Sequence, residues 1–131
     1  MPPIEFQLPS YREQSPEVAA RFERIRKRPV ILRVNELKKS FGTNGKTHVV
    51  FDKVSLDIYR REFVCVVGAS GCGKSTLARI VAGLDDASGG EVLLDGKSVA
   101  GPGPDRGMVF QGYTLFPWLT VKRNVMFGLR M

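Results

Sequence analysis

Apolar positions along this chain fall into two periods, and each change of period marks a new element. Val18, Phe22 and Ile25 recur at i, i+4 and i+7, which predicts a helix. Ser15-Pro16-Glu17 gives it an N-cap, a proline in the first position and an acidic first turn. Glu23 and Lys27 form an i, i+4 pair, and Pro29 stops the helix. Residues 30–37 read as a first strand, and 41–46 as a polar turn carrying one aromatic, Phe41. Val54-Ser55-Leu56-Asp57-Ile58 alternates as a half-exposed antiparallel strand does. Phe63-Val64-Cys65-Val66-Val67 is an unbroken apolar run, the pattern of a strand buried on both faces. Leu77, Ile80, Val81 and Leu84 then return to the helical period, with a start near Lys74 and Gly83 as the stop. Residues 91–94 and 97–99 flank Asp95-Gly96, a strong hairpin signal. A short strand is expected over 107–111 and a helix over 120–129, while residues 1–14, with three prolines and no period, read as irregular.

Composition narrows the field without deciding it. The chain has 131 residues, enough for one modest domain, and is 43% hydrophobic and 25% charged, a globular balance. Its net charge is +7, with basic residues crowded into the first forty positions. No aromatic-interleaved basic motif points to nucleic acid, so the charge reads as a solvated face. No run of about twenty apolar residues is present to span a membrane, and the N-terminus lacks the apolar core of a signal peptide. The chain therefore reads as cytoplasmic. Cys65 and Cys72 fall in a predicted strand and a glycine-rich loop, which is neither a disulfide framework nor a metal site. His48 stands alone and reads as structural or exposed.

The candidate chemistry lies between the apolar run and the second helix. Gly68-Ala69-Ser70-Gly71-Cys72-Gly73-Lys74-Ser75-Thr76 fits the phosphate-loop pattern G-x-x-x-x-G-K-[ST]. Glycines let the backbone curl so that successive N–H groups face one anion, and the helix after the loop points its positive end there. Lys74 can reach the outer phosphates, and the Ser75 hydroxyl can ligate Mg2+. A strand before the loop and a helix after it are the context the motif needs.

Together with residues on both sides of it, the loop resembles that of the ATP-binding subunit of an ABC transporter, and the likeness extends over about residues 31–131. It is carried by Phe41, the loop at 68–76, Gly83-Leu84, Gly89-Gly90-Glu91-Val92, Asp95-Gly96, Val109-Phe110-Gln111 and Asn124-Val125-Met126-Phe127-Gly128-Leu129. Phe116-Pro117-Trp118-Leu119-Thr120-Val121 is similar to the nitrate, sulfonate and taurine importer branch. The resemblance implies an α/β fold, a P-loop NTPase core that is incomplete here, with an antiparallel β subdomain. Residues 1–29 are then an N-terminal extension with a short amphipathic helix. Residues 30–131 are the N-terminal part of the ATP-binding domain, cut before the signature and Walker B motifs.

The resemblance also implies roles. Phe41 stacks on adenine, although a core residue at a strand end is the alternative. Residues 68–76 hold the triphosphate of ATP. Gln111 is a ligand for Mg2+ or the attacking water, or else a strand-end glutamine facing solvent; with Lys74 it forms the catalytic pair. Tyr113, Leu115, Phe116 and Trp118 receive a membrane-spanning permease subunit, unless their rings close on their own core. A second ATP-binding subunit joins head to tail, and the assembly sits on the inner face of the plasma membrane. ATP hydrolysis then powers import, with a non-hydrolysing nucleotide module of regulatory or assembly role as the alternative. A kinase or GTPase would explain the loop but not Phe41 or the Gln111 region. Arg61 departs from the pattern, which usually has glycine before Glu62-Phe63, and no catalytic glutamate can be identified.

Overall fold

The computed structural model describes residues 13–43, 46–112 and 115–129. Expectations that fall on residues 1–12, on Asn44-Gly45 and on Tyr113 lie outside the described residues. The elements are α1 (Pro16–Arg26), β1 (Val30–Thr43), β2 (Lys46–Tyr59), α2 (Lys74–Val81), β3 (Gly89–Leu94), β4 (Lys97–Ser98) and α3 (Val121–Val125), with a 3-10 turn after them at Phe127–Leu129. Four strands form one antiparallel sheet in the order β2-β1-β3-β4.

Local rules account for most of these boundaries. Ser15 Oγ accepts from the Val18 N–H at 3.4 Å and Pro16 opens α1. Helix α2 ends where Gly83 turns left-handed, with Gly83 N–H donating to Ile80 O and Leu84 N–H to Arg79 O. Asp95 and Gly96 both have positive φ, joining β3 to β4 in a two-residue turn. The core is small: Leu32, Val34 and Leu37 of β1, Val92 of β3 and Ile80 of α2 are buried together.

The pairing of β1 is irregular at one decisive place. Val34 faces Leu56, but Leu37 faces Val54, so β1 carries one extra residue there; Glu36 sits at φ 43. The buried positions change parity across it, from Leu32 and Val34 to Leu37 and Lys39. Gly90 of β3 is pressed against the backbone of this bulge, so that a Cβ on Gly90 would collide with the Asn35 and Glu36 carbonyls.

Lys39 is thereby the buried charged residue of the sheet, 8% exposed. Its ammonium donates to Asp85 Oδ1 at 2.9 Å and to the Asp86 carbonyl at 2.6 Å, tying β1 to the loop after α2. Ser88 adds to the tie: its N–H donates to Lys38 O at 2.8 Å and its Oγ accepts from the Ser40 N–H at 3.0 Å. On the outer face, Arg33 forks onto both oxygens of Asp57, at 2.7 and 3.0 Å.

Several expectations need correcting. The first strand runs to Thr43 rather than to 37, so the stretch expected as a turn is largely a hairpin arm: Phe41 pairs with His48 and Lys39 with Phe51. Residues 63–67 and 107–111 join no strand pair, and Phe63 (93% exposed) and Val67 (87%) face solvent instead of being buried on both faces. The reason is geometric: β1–β4 pair only among themselves, and no strand among the described residues lies beside either stretch. The last helix begins at its Thr120 cap as expected but is a five-residue α-turn continued by a 3-10 turn.

Arg61 holds the turn that leaves β2, at φ 60. The turn is closed by the Tyr59 N–H donating to Glu62 Oε2 at 2.8 Å and the Glu62 N–H to Tyr59 O at 3.0 Å. A left-handed backbone is what makes glycine the usual residue there. It costs a side-chain-bearing residue about 1–2 kcal/mol, against about 0.5–1 kcal/mol of extra chain entropy for glycine. Arg61→Gly is therefore expected to raise stability by roughly 0.5–1 kcal/mol in urea unfolding; a loss of stability would show that the Arg61 side chain matters more than its backbone.

Two carboxylates bonded to cations, Asp85 and Asp57, predict the pH dependence. The hydrogen bond from Lys39 holds the Asp85 carboxyl below its ordinary value, and the bond from Arg33 does the same for Asp57. Their stabilisation is complete above the unfolded carboxylate value of about 4 and is lost as pH falls through the lowered folded values. The urea midpoint should drop below about pH 4, and drop less steeply in Lys39→Met, where Asp85 has lost its partner. An unchanged slope in that variant would contradict the pairing.

Candidate nucleotide site

The loop at 68–76 is built as a cradle by its neighbours as well as by its glycines. Gly73 lies at φ 99, and a Cβ there would strike the Val50 side chain and crowd Phe51, so β2 is packed directly against the loop. Helix α2 starts immediately after it, at Lys74, with no side chain capping its first turn. The free N–H groups of that turn are donors for an incoming anion.

The Lys74 ammonium folds back onto the loop, donating to the carbonyls of Gly68 at 2.8 Å and Ala69 at 2.7 Å. Cys72 Sγ lies 3.8 Å from the same nitrogen. These are neutral acceptors. A phosphate oxygen offers a charged one, and charge-assisted bonds are roughly twice as strong.

A cleft of about 310 Å3 opens in front of the loop, lined by Gly71, Gly73, Lys74, Ser75 and Thr76 from the loop and by Phe41, His48 and Val50 from the hairpin. Phe41, far from the loop in sequence, is thus brought across from it, with its ring 46% exposed. Gly68, Ala69, Ser70 and Cys72 complete the loop without lining this cleft. Gln111 does not line it either; it is exposed in the unpaired 107–111 stretch.

Three residues at the site were missed by sequence reasoning: His48, Val50 and Lys39. Lys39 Nζ stands 4.8 Å from the centroid of the Phe41 ring. The signal for two of them was the hairpin register, which places His48 opposite Phe41 and Lys39 two residues before it; Val50 enters through its contact with Gly73.

The donor set tests what metal could be held. Among the described residues no cluster of His, Cys, Asp and Glu could grip an ion by itself. Ser75 offers one hydroxyl at the cleft. That suits Mg2+, which keeps most of its shell from water and substrate phosphates and takes few protein ligands.

The aromatic loop is partly as expected. Leu115 and Trp118 are exposed, the latter by 75%, while Phe116 turns inward and packs at 4.6 Å between centroids on Phe127 and 5.2 Å on Trp118. Asn124 holds the loop in shape: its Oδ1 accepts from the Phe116 N–H at 2.8 Å, and its Nδ2 donates to the carbonyls of Phe116, Leu119 and Thr120.

Comparison with known proteins bears on the whole arrangement. The sequence model described as ABC transporter matches residues 51–130. An uncharacterized ABC transporter ATP-binding protein of Methanocaldococcus jannaschii is 56% identical over 102 residues, 78% of this chain and 38% of that protein. The nitrate import ATP-binding protein NrtD of a Synechocystis strain is 50% identical over 100 residues, 76% of this chain and 38% of that one. A solved dimeric ATP-binding cassette in a post-hydrolysis state, bound to ADP and Pi, superposes with a TM-score of 0.67 at 30% identity, covering 76% of this chain and 47% of the cassette. The chain spans less than two fifths of the length of these two sequence relatives.

Proposed function

The chain belongs to the ABC transporter family, and from that premise we propose that it binds MgATP as part of the ATP-hydrolysing subunit of an importer. One observation carries the reading: an exposed aromatic ring and a phosphate loop line the same cleft. ATP is a planar base joined through ribose to a polyanion, and the cleft offers a surface for each end. Phe41 takes the base by stacking, a contact of about 1–3 kcal/mol in nucleic-acid systems. The loop amides and Lys74 take the phosphates, and Ser75 takes Mg2+, which supplies charge neutralisation at the phosphates. Such catalysis is mainly positioning and charge neutralisation. Lys74 would neutralise charge on the outer phosphates, and Gln111 would reach the site from the 107–111 stretch to orient water or metal.

The finer assignments rest on the relatives. Nitrate is the cargo suggested by the NrtD match, with sulfonate and taurine in the same branch of the resemblance. Leu115 and Trp118, exposed on a loop that the inward-turned Phe116 ring supports from beneath, form with it the contact for a membrane-spanning permease subunit, because an exposed aromatic on a rigid loop is a typical anchor for a partner. No helix among the described residues is long and apolar enough to cross a membrane; that partner would hold the subunit at the inner face of the membrane. A second ATP-binding subunit completes each site, as the dimeric cassette suggests. Residues 1–29 form an extension outside the ATP-binding domain, which begins at residue 30.

Calorimetric titration with MgATP tests the core of this reading. The chain should bind, and Lys74→Ala should weaken binding at least tenfold, since each charge-assisted bond contributes about 1.5–3 kcal/mol; equal affinity would refute the phosphate-loop assignment. Phosphate release measured in the same samples separates an ATPase from a module that only binds.

A second test uses Cys72, which is exposed beside Lys74. Alkylation at Cys72 should block nucleotide, and bound MgATP should slow the labelling. Identical labelling rates with and without MgATP would mean that the triphosphate does not occupy this loop.

A further inference from the structure

Lys39 is buried, charged and not accounted for by the phosphate-loop reading. Two of its three ammonium donors are spent on Asp85 Oδ1 and the Asp86 carbonyl, so its head group is fixed from the side of the loop after α2. That loop is itself tied to β1 through Ser88 and Ser40. From this position the ammonium stands 4.8 Å from the centre of the Phe41 ring, inside the range of about 6 Å where a cation is attracted to an aromatic face. Burial strengthens that attraction, because little water is left to screen it. The ring is still half exposed and lines the cleft.

The contacts close a circuit around the cleft. The phosphate loop begins α2, α2 runs about 12 Å to the loop holding Asp85, Asp85 holds Lys39, and Lys39 holds Phe41. The aromatic surface and the phosphate cradle are therefore registered against opposite ends of one helix.

We propose that Lys39 is a positioning residue for the base: pinned by Asp85 and Asp86, its ammonium fixes the Phe41 ring facing the cleft and makes that ring a stronger platform for a purine. This rests on the cleft binding ATP. A ring already fixed loses less freedom when a base stacks on it, which favours binding. A cation on the ring also draws its electrons and makes the surface facing the cleft more attractive to an electron-rich base. Neither effect touches the phosphates, so the effect on binding depends on whether the ligand carries a base.

The test compares MgATP with magnesium tripolyphosphate, which keeps the polyanion and lacks the base. Lys39→Met should weaken MgATP by about fivefold, the scale of one partly buried cation–aromatic contact, and leave tripolyphosphate unchanged. In a Phe41→Leu background the same substitution should have no further effect on MgATP. Asp85→Asn keeps the side-chain shape and the Lys39 charge but loosens the grip, and should show the same base-selective loss; where either variant is less stable, the ratio of its MgATP to its tripolyphosphate affinity, read on the folded fraction, still answers the question. Equal weakening of both ligands, or additive losses in the Phe41→Leu background, would overturn the inference and leave the ATP site standing. An unsubstituted chain that binds neither ligand would overturn both.

Discussion

One left-handed residue decides which side chains of β1 face inward. With strict alternation, Leu32 and Val34 would be succeeded on the core face by Glu36, Lys38 and Ser40. The extra residue at Glu36 shifts the strand by one, so that Leu37 and Lys39 are buried instead, and Phe41 follows on their side of the strand where it opens to the cleft. A left-handed glutamate costs about 1–2 kcal/mol, and three neighbours hold it there. Its N–H donates to Ser55 Oγ at 2.9 Å, both edges of β1 are paired, and Gly90 lies flush against its carbonyl. Every feature of the proposed base platform depends on this shift.

The two lysines of the site are in opposite states, and the difference is chemical. Lys39 is enclosed and paired with a carboxylate, so removing Asp85 would leave a buried charge without its counter-ion, an expensive outcome. Lys74 rests on two neutral carbonyls of its own loop. Its bonds can be exchanged for bonds to phosphate at little cost, because the same donors gain a charged acceptor. A site that must bind and release a polyanion needs one cation locked as scaffold and another free to change partners.

How much of this could be read in the sequence depended on how local the determinant was. The phosphate loop, the caps of α1 and α2, the Gly83 stop and the Asp95-Gly96 turn are each set by residues within one turn of one another, and all were legible. The cleft was legible only as two separate halves, Phe41 and 68–76, since nothing local says that the hairpin folds back over the loop. Lys39 was invisible for a stronger reason. The stretch Lys38-Lys39-Ser40 is polar by composition, and only the bulge, a pairing property of three strands, turns one of its lysines inward. The buried strand expected at 63–67 and the short strand at 107–111 failed in the reverse way: composition identified segments suited to a sheet, but pairing depends on neighbours that the described residues do not supply.

The unpaired 63–67 stretch bears directly on the site. The phosphate loop is anchored on one side by α2 and by the contact of Gly73 with Val50. Its other side hangs from the 63–67 stretch, whose backbone pairs with no strand and whose side chains are largely exposed. A cradle held at one end loses more freedom when it closes on a ligand than one held at both, and that loss subtracts from affinity. Any strand that pairs with 63–67 would strengthen nucleotide binding without touching the nucleotide. By linkage, nucleotide would in turn favour that pairing by the same factor. Pairing of the 63–67 stretch and occupation of the loop are thus two sides of one equilibrium, because the loop is the direct continuation of that stretch.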